Sequence, residues 1–395
     1  MYQQSRFLTQ NTPHYHGGSI VNLVAGVSSA CGGLDTGYPA AESLSSQELK
    51  RARNIVLLIL DGLGYDYIRR YGPNSVLASH MRGSLTSVFP TTTATAITSL
   101  ATGVAAQQHA VTGWFMFLKE LGAVTAIMPF RPRLGTEPYM AKGIRMGDVI
   151  GVRSIFGQMS RTGYVVNRQD LVHSEYNTLV TAGAERRSYG NLEECFARVA
   201  QTVIENDEPK FIHAYWPDFD TFCHEHGVGS AEVLAHFKKL DAQFALLLEA
   251  LGGTDTLVLV TADHGLIDTA SNRLIHLDEH PELSSTLVVP LCGEPRAAYC
   301  YVRPGRVAQF ERYVATELSD CCDVVKSEDL VEAGWFGLGV ANPKLFDRIG
   351  DYVLLMKENY AIKDRVLGEQ SYRQIGVHGG LSSQELLVPL IVAQA

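Results

Sequence analysis

Three apolar runs in this chain lead into carboxylates, and histidines stand close to two of them. Asp61 closes NIVLLIL, Asp263 and His264 follow LVLVT, and Asp218 or Asp220 follows FIHAYW. A single Asp after a strand commonly serves as a helix cap or turn residue. Three of them, two accompanied by histidines, point instead to carboxylates converging on a cation. In PDFDTFCHEHG, Asp220 and His224 are four apart, so one helical turn or a compact loop lets both reach one ion. Carboxylate plus imidazole suits Zn²⁺ or Mn²⁺ better than Ca²⁺. In FPTTTATAITSLATG a run of threonines, Thr91 to Thr93, precedes a small-residue helix predicted over 94–102. A hydroxyl there sits where backbone N–H groups and the helix dipole favour an anionic phosphate. A metal ion beside it would favour the alkoxide, a nucleophile that needs no separate base. His378 lies far along the chain in GVHGG, where the glycines let the backbone approach a site closely.

Positioning such residues is the work of the elements around them. Runs 54–60, 211–216 and 257–261 are short, continuously apolar and bounded by turn residues, as expected of strands buried on both faces of a parallel sheet. Between the last two, apolar residues recur at helical spacing over 230–251, predicting an amphipathic helix packed on that sheet. Strands alternating with helices imply a doubly wound α/β core, in which ligands bind beyond the carboxyl ends of the strands. From about Pro281 the texture changes. Strands are predicted at 297–302 and 351–357, with a helix at 307–318, giving a small α+β insertion over 281–375. A strand at 386–392 then rejoins the main sheet. Residues 1–50 read as a lead-in packing on the core, with one short strand at 19–24.

Composition bounds the remaining choices. The chain has 395 residues, 46% hydrophobic and 19% charged, enough for a large core and against global disorder. A net charge of −9 argues against affinity built on covering nucleic-acid phosphates. It leaves a small phosphorylated substrate open, because bound cations would supply local positive charge. Seven cysteines without a Cys-x-x-Cys pair suit free thiols. The segment MYQQSRFLTQNTPHYHGG lacks the pattern of a secretory signal, and no apolar run reaches the ~18 residues of a membrane span. The expectation is a soluble, cytoplasmic protein. Oligomeric state leaves no mark on the sequence.

Five segments occur in a telling order: LLILDGLGYDYI, FPTTTATAITSLATG, the Asp220–His224 spacing ending at Gly227, VTADHG and VHGG. Together they resemble the alkaline phosphatase superfamily, most closely its type I phosphodiesterase/nucleotide pyrophosphatase branch, over residues 51–280 and 376–395. The resemblance implies a three-layer α/β/α sandwich with a mostly parallel sheet and a small α+β insertion. It also implies two divalent ions, zinc or manganese. One would be held by Asp61, Thr93, Asp263 and His264, the other by Asp220, His224 and His378. Thr93 fits the family's attacking threonine in Pro-Thr-x-Thr, with Thr91 and Thr92 as alternatives. The implied reaction is hydrolysis of a phosphodiester or pyrophosphate bond in a small phosphorylated substrate, a nucleotide being one candidate, through a phospho-threonine. Phosphomonoesterase or phosphomutase chemistry on the same core is the runner-up, and a silent metal-binding protein is a third reading. No Cys-x-Pro-x-Arg segment exists for a sulfatase. Two departures stand out. Ala94-Thr95-Ala96 replaces the Phe-Pro-Asn that usually follows the nucleophile, and HAVTGW lacks the Asn that binds a phosphate oxygen. Arg131 and Arg133 in PFRPR are candidate substitutes as charge donors.

Overall fold

The computed structural model describes residues 11–370 and 373–395. A seven-stranded sheet forms the middle layer of an α/β/α sandwich. Its strands lie in the order Met81–Thr86, Leu387–Gln394, Thr256–Thr261, Asn54–Leu60, Lys210–Trp216, Thr162–Arg168 and Glu185–Tyr189. The last five are mutually parallel, and Leu387–Gln394 runs antiparallel to its neighbours. Every residue of Asn54–Leu60 is buried, as a parallel strand covered on both faces requires. Helix Leu192–Ile204 packs on one flank of the sheet, and helix Ala231–Ala250 packs on that helix, with Val233, Phe237, Leu240 and Phe244 among its buried residues.

The three central strands, Thr256–Thr261, Asn54–Leu60 and Lys210–Trp216, are adjacent and in parallel register. Their carboxyl ends therefore emerge side by side, and Asp61, Asp263 and the Asp218–His226 helix leave the sheet at one edge. Gly62 makes the first of these exits possible. Its φ of +75° is left-handed, and a Cβ there would lie 3.0 Å from the Asp220 Cα.

The strand expected at 19–24 is instead part of helix Ile20–Ala30. Ser19 caps it in a reciprocal box with Asn22. The helix is buried on nearly every side, so its apolar run carries no periodicity that separates helix from strand. It packs against helix Thr93–Thr102, whose small residues are all buried.

A second, wholly antiparallel seven-stranded sheet takes four strands from residues 292–356. The other three, Phe115–Leu118, Ala123–Ala126 and Arg131–Pro132, come from within the span 51–280. The single register pair Gly293↔Phe115 joins the two contributions, and both residues line the same cleft as Asp220.

Candidate active site

Each central carboxylate has one oxygen held and one free. Asp61 Oδ2 accepts from the buried Tyr215 hydroxyl. Asp263 Oδ1 accepts from the backbone N–H groups of Gly62 at 3.1 Å and His264 at 2.9 Å. Asp220 Oδ2 lies 3.1 Å from His224 Nε2. The remaining oxygens, Asp61 Oδ1, Asp220 Oδ1 and Asp263 Oδ2, are buried with no hydrogen-bond partner among the described residues. Orphaned carboxylate oxygens are costly in a protein interior unless a cation completes them.

The imidazoles match this pattern. His224 Nδ1 sits 2.7 Å from Gly376 O, His264 Nδ1 3.1 Å from Gly265 O, and His378 Nδ1 3.1 Å from Thr91 O. A carbonyl oxygen only accepts, so the Nδ1 of His264 and of His378 carries the proton and their Nε2 offers a lone pair. His224 sets its Nε2 3.1 Å from Asp220 Oδ2. Those Nε2 atoms face the carboxylates. His264 Nε2 is 3.5 Å from Asp61 Oδ1 and 3.4 Å from Asp263 Oδ2, and His378 Nε2 is 4.0 Å from Asp220 Oδ1. Anchoring one ring nitrogen on a carbonyl while the other faces inward is how metal-bound histidines are oriented. The donor atoms of Asp61, Asp263 and His264 lie within 4.8 Å of one another, and so do those of Asp220, His264 and His378. His264 thus stands between the two clusters, stacked on His378 at 3.9 Å.

The electrostatics agree with the geometry. Burial, then the Asp263 and Asp220 carboxylates, push the Asp61 carboxyl well above its usual range. Burial also opposes ionisation of Asp220, but His224 and the other imidazoles outweigh it and hold that carboxyl low. His378 is pushed well down by burial and by His264, which keeps its ring neutral. The residues present fit divalent cations: mixed oxygen and nitrogen donors, the neutral His378 ring and like charges that a cation would relieve.

The three threonines are not equivalent. Thr91 Oγ1 donates to Gly380 O at 2.7 Å, and Thr92 Oγ1 donates to Glu294 Oε1 at 2.6 Å. Thr93 Oγ1 lies 3.2 Å from His264 Nε2, opens on the cleft, and heads the ten-residue helix Thr93–Thr102. Its position combines the free N–H groups of a helix start with the double cluster of donors.

A cleft of about 680 Å³ reaches from Thr93, Asp220, His224 and His378 past Trp114 to Lys363. The family model of the type I phosphodiesterase / nucleotide pyrophosphatase family matches residues 55–381, most of the chain. The chain belongs to this family. Among curated members it is 26% identical over 273 residues to the mouse bis(5′-adenosyl)-triphosphatase enpp4, covering 66% of this chain and 56% of that protein. The human ENPP4 counterpart is 25% identical over 384 residues, covering 91% of this chain and 75% of the relative. This chain therefore spans only about half of the mouse relative's length. In fold it resembles murine ectonucleotide pyrophosphatase / phosphodiesterase 5, with a TM-score of 0.64 at 17% identity, over 85% of this chain and 87% of the other. It also resembles phosphonoacetate hydrolase from Sinorhizobium meliloti, with a TM-score of 0.62 at 19% identity, over 87% and 90%.

Family membership sharpens what is unusual here. Trp114 stands in the HAVTGW stretch that lacks the phosphate-binding Asn, and its backbone N–H donates to Glu294 Oε1 at 2.7 Å. Glu294 thereby clamps the nucleophile turn to the Trp114 loop, and burial pushes its carboxyl up to about 7. Sequence reading gave no sign of Glu294 or Tyr215, since neither belongs to a motif. Nor do the arginines of PFRPR act as free donors. Arg133 has its side chain only 7% exposed and paired with Asp364 at 2.7 Å and Glu369 at 2.9 Å, while Arg131 donates to Gly135 O.

Proposed function

We propose that this chain hydrolyses phosphodiester or pyrophosphate bonds through a phospho-threonine on Thr93 at a site for two divalent cations. The observation that carries the reading is the agreement of three orphaned carboxylate oxygens with three inward-facing imidazole Nε2 atoms around the Thr93 hydroxyl. Asp61, Thr93, Asp263 and His264 would hold one ion, and Asp220, His224 and His378 the other. Such ions, zinc or manganese, supply Lewis acidity that lowers the pKa of a bound hydroxyl or water and neutralises charge on phosphate oxygens.

The chain's own residues do the rest. The helix that begins at Thr93 fixes its Oγ1 and directs free N–H groups toward an anion. Thr93 gives up its hydroxyl proton to solvent, and its Oγ1 bonds to phosphorus. The bond from phosphorus to the leaving oxygen breaks, and its electron pair stays with that oxygen. Water then attacks the same phosphorus, the Thr93 Oγ1–P bond breaks with its pair returning to Thr93, and Thr93 recovers a proton. Tyr215 keeps Asp61 oriented through both steps. The curated relatives are named for a diadenosine substrate, and one related solved structure holds AMP. With a cleft of this volume, those names support a substrate carrying a sizeable group beyond the reacting phosphate.

Hydrolysis of bis(p-nitrophenyl) phosphate against p-nitrophenyl phosphate by the metal-loaded protein tests the reading. A kcat/KM at least about tenfold higher for the diester is expected. A monoester preference of similar size would overturn the diesterase assignment in favour of a phosphomonoesterase.

A further inference from the structure

Part of the cleft wall is built by the parallel pair Leu274–His276 and Ala361–Lys363. The cleft lining carries four cations whose charges are used very differently, one of them, Arg365, being exposed to solvent. Arg133 is already neutralised by Asp364 and Glu369, and its guanidinium lies 4.5 Å from the Phe115 ring centroid. Arg373 is exposed and donates to Ser271 Oγ at 2.7 Å. Lys363 is half-buried, and its Nζ donates to the neutral amide Oε1 of Gln374 at 2.7 Å. The acidic groups whose fields reach it are committed elsewhere. Glu294 accepts from Thr92 and Trp114, and Glu369 is paired with Arg133. Gln374 Nε2 in turn lies 3.2 Å from His224 Nδ1, so one amide separates the Lys363 ammonium from an imidazole of the reaction centre.

A half-buried ammonium that, among the described residues, donates to a neutral amide has donors to spare and has lost part of its hydration. An anion arriving from the cleft would complete it, at charge-assisted strength. Burial draws the ammonium's pKa down, and an incoming anion would offset that. We propose that Lys363 anchors a second anionic group of the substrate, a carboxylate or a phosphate, set apart from the phosphorus that Thr93 attacks. This rests on the hydrolase reading for the identity of the first group. It would make the enzyme select substrates with two anionic groups, and it places selectivity on the 281–375 segment rather than on the missing Asn.

Calorimetric titration of the full, metal-loaded chain with three phosphonates tests this. Methylphosphonate carries one anionic group, phosphonoacetate adds a carboxylate, and methylenediphosphonate adds a second phosphonate. Lys363→Met is expected to weaken binding of one or both bifunctional probes by about tenfold, and methylphosphonate by less than about twofold. Lys363→Arg should restore most of the loss. The probe that suffers identifies the second group as carboxylate or phosphate. Equal losses for all three probes, no loss, or no binding of either bifunctional probe to the wild-type chain would overturn the proposal. Hydrolysis of bis(p-nitrophenyl) phosphate, measured on the same preparations, reports separately on the hydrolase reading. An inactive protein that keeps the Lys363-dependent contrast would sink the hydrolase and leave the anion subsite standing.

Discussion

Thr93→Ala is expected to lower kcat for phosphate-ester hydrolysis by about a thousandfold or more, with the fold retained. The hydroxyl is the atom that bonds to phosphorus, and the two neighbouring threonine hydroxyls are not free to replace it. Thr91 and Thr92 have spent their hydroxyls on Gly380 O and Glu294 Oε1. Thr91→Val and Thr92→Val should therefore each cost about tenfold to a hundredfold, through misplacement of His378 and of the nucleophile turn respectively. Thr93→Ser keeps the nucleophilic oxygen and should retain measurable turnover. Steady-state rates on all four variants, with mass-spectrometric search for phosphate on Thr93 after acid quench, give the measurement. Full activity in Thr93→Ala, or a larger loss in Thr92→Val, would move the nucleophile elsewhere.

The second large effect concerns stability. Arg296→Met is expected to destabilise the protein by about 3–5 kcal/mol, because it strands a buried carboxylate. Arg296 is 2% exposed and Glu385 is fully buried. Their two contacts, at 3.2 Å and 3.1 Å, make a bidentate pair between the second sheet and the segment that follows VHGG. Glu385 also accepts from the Gly380 N–H at 2.8 Å and from the Ser382 hydroxyl at 2.7 Å. Through Gly380 and Thr91 the network reaches His378. Breaking the pair should therefore cost activity as well as stability. Urea denaturation of Arg296→Met and of the double variant Arg296→Met/Glu385→Leu separates the causes. The double variant should recover much of the loss, since removing both charges leaves no uncompensated ion. If both variants are equally unstable, packing and not charge is what the pair provides.

How much of this was legible in the sequence depends on distance along the chain. Asp61, Asp263 and His264 could be read because apolar strands lead directly into them and a parallel sheet must bring such ends together. Asp220 and His224 could be read from a local spacing that one turn of helix Asp218–His226 realises. Without the family resemblance, which picks out Thr93, the residues alone narrow the nucleophile only to a run of three. The hydrogen bonds that commit Thr92 and Thr91 come from Glu294 and Gly380, 202 and 289 residues away from their partners. The same limit hid the Arg296–Glu385 pair, 89 residues apart, and the pairing of Arg133. Strand Phe115–Leu118 is four residues long and only half-buried in alternation, too short for its periodicity to announce a second sheet. The region 19–24 failed for a different reason: a fully buried helix shows no polar face.

The central claim is that seven side chains hold two divalent ions on which hydrolysis depends. Metal content by elemental analysis, read alongside bis(p-nitrophenyl) phosphate turnover, tests it most directly. The prediction is about two ions per chain, loss of turnover on chelation and its return with zinc or manganese. Asp220→Ala, which removes a carboxylate whose Oδ1 has no hydrogen-bond partner among the described residues, should bind about one ion and lose turnover. Turnover that survives complete metal removal would contradict the claim, as would a protein that binds no ion at this cluster.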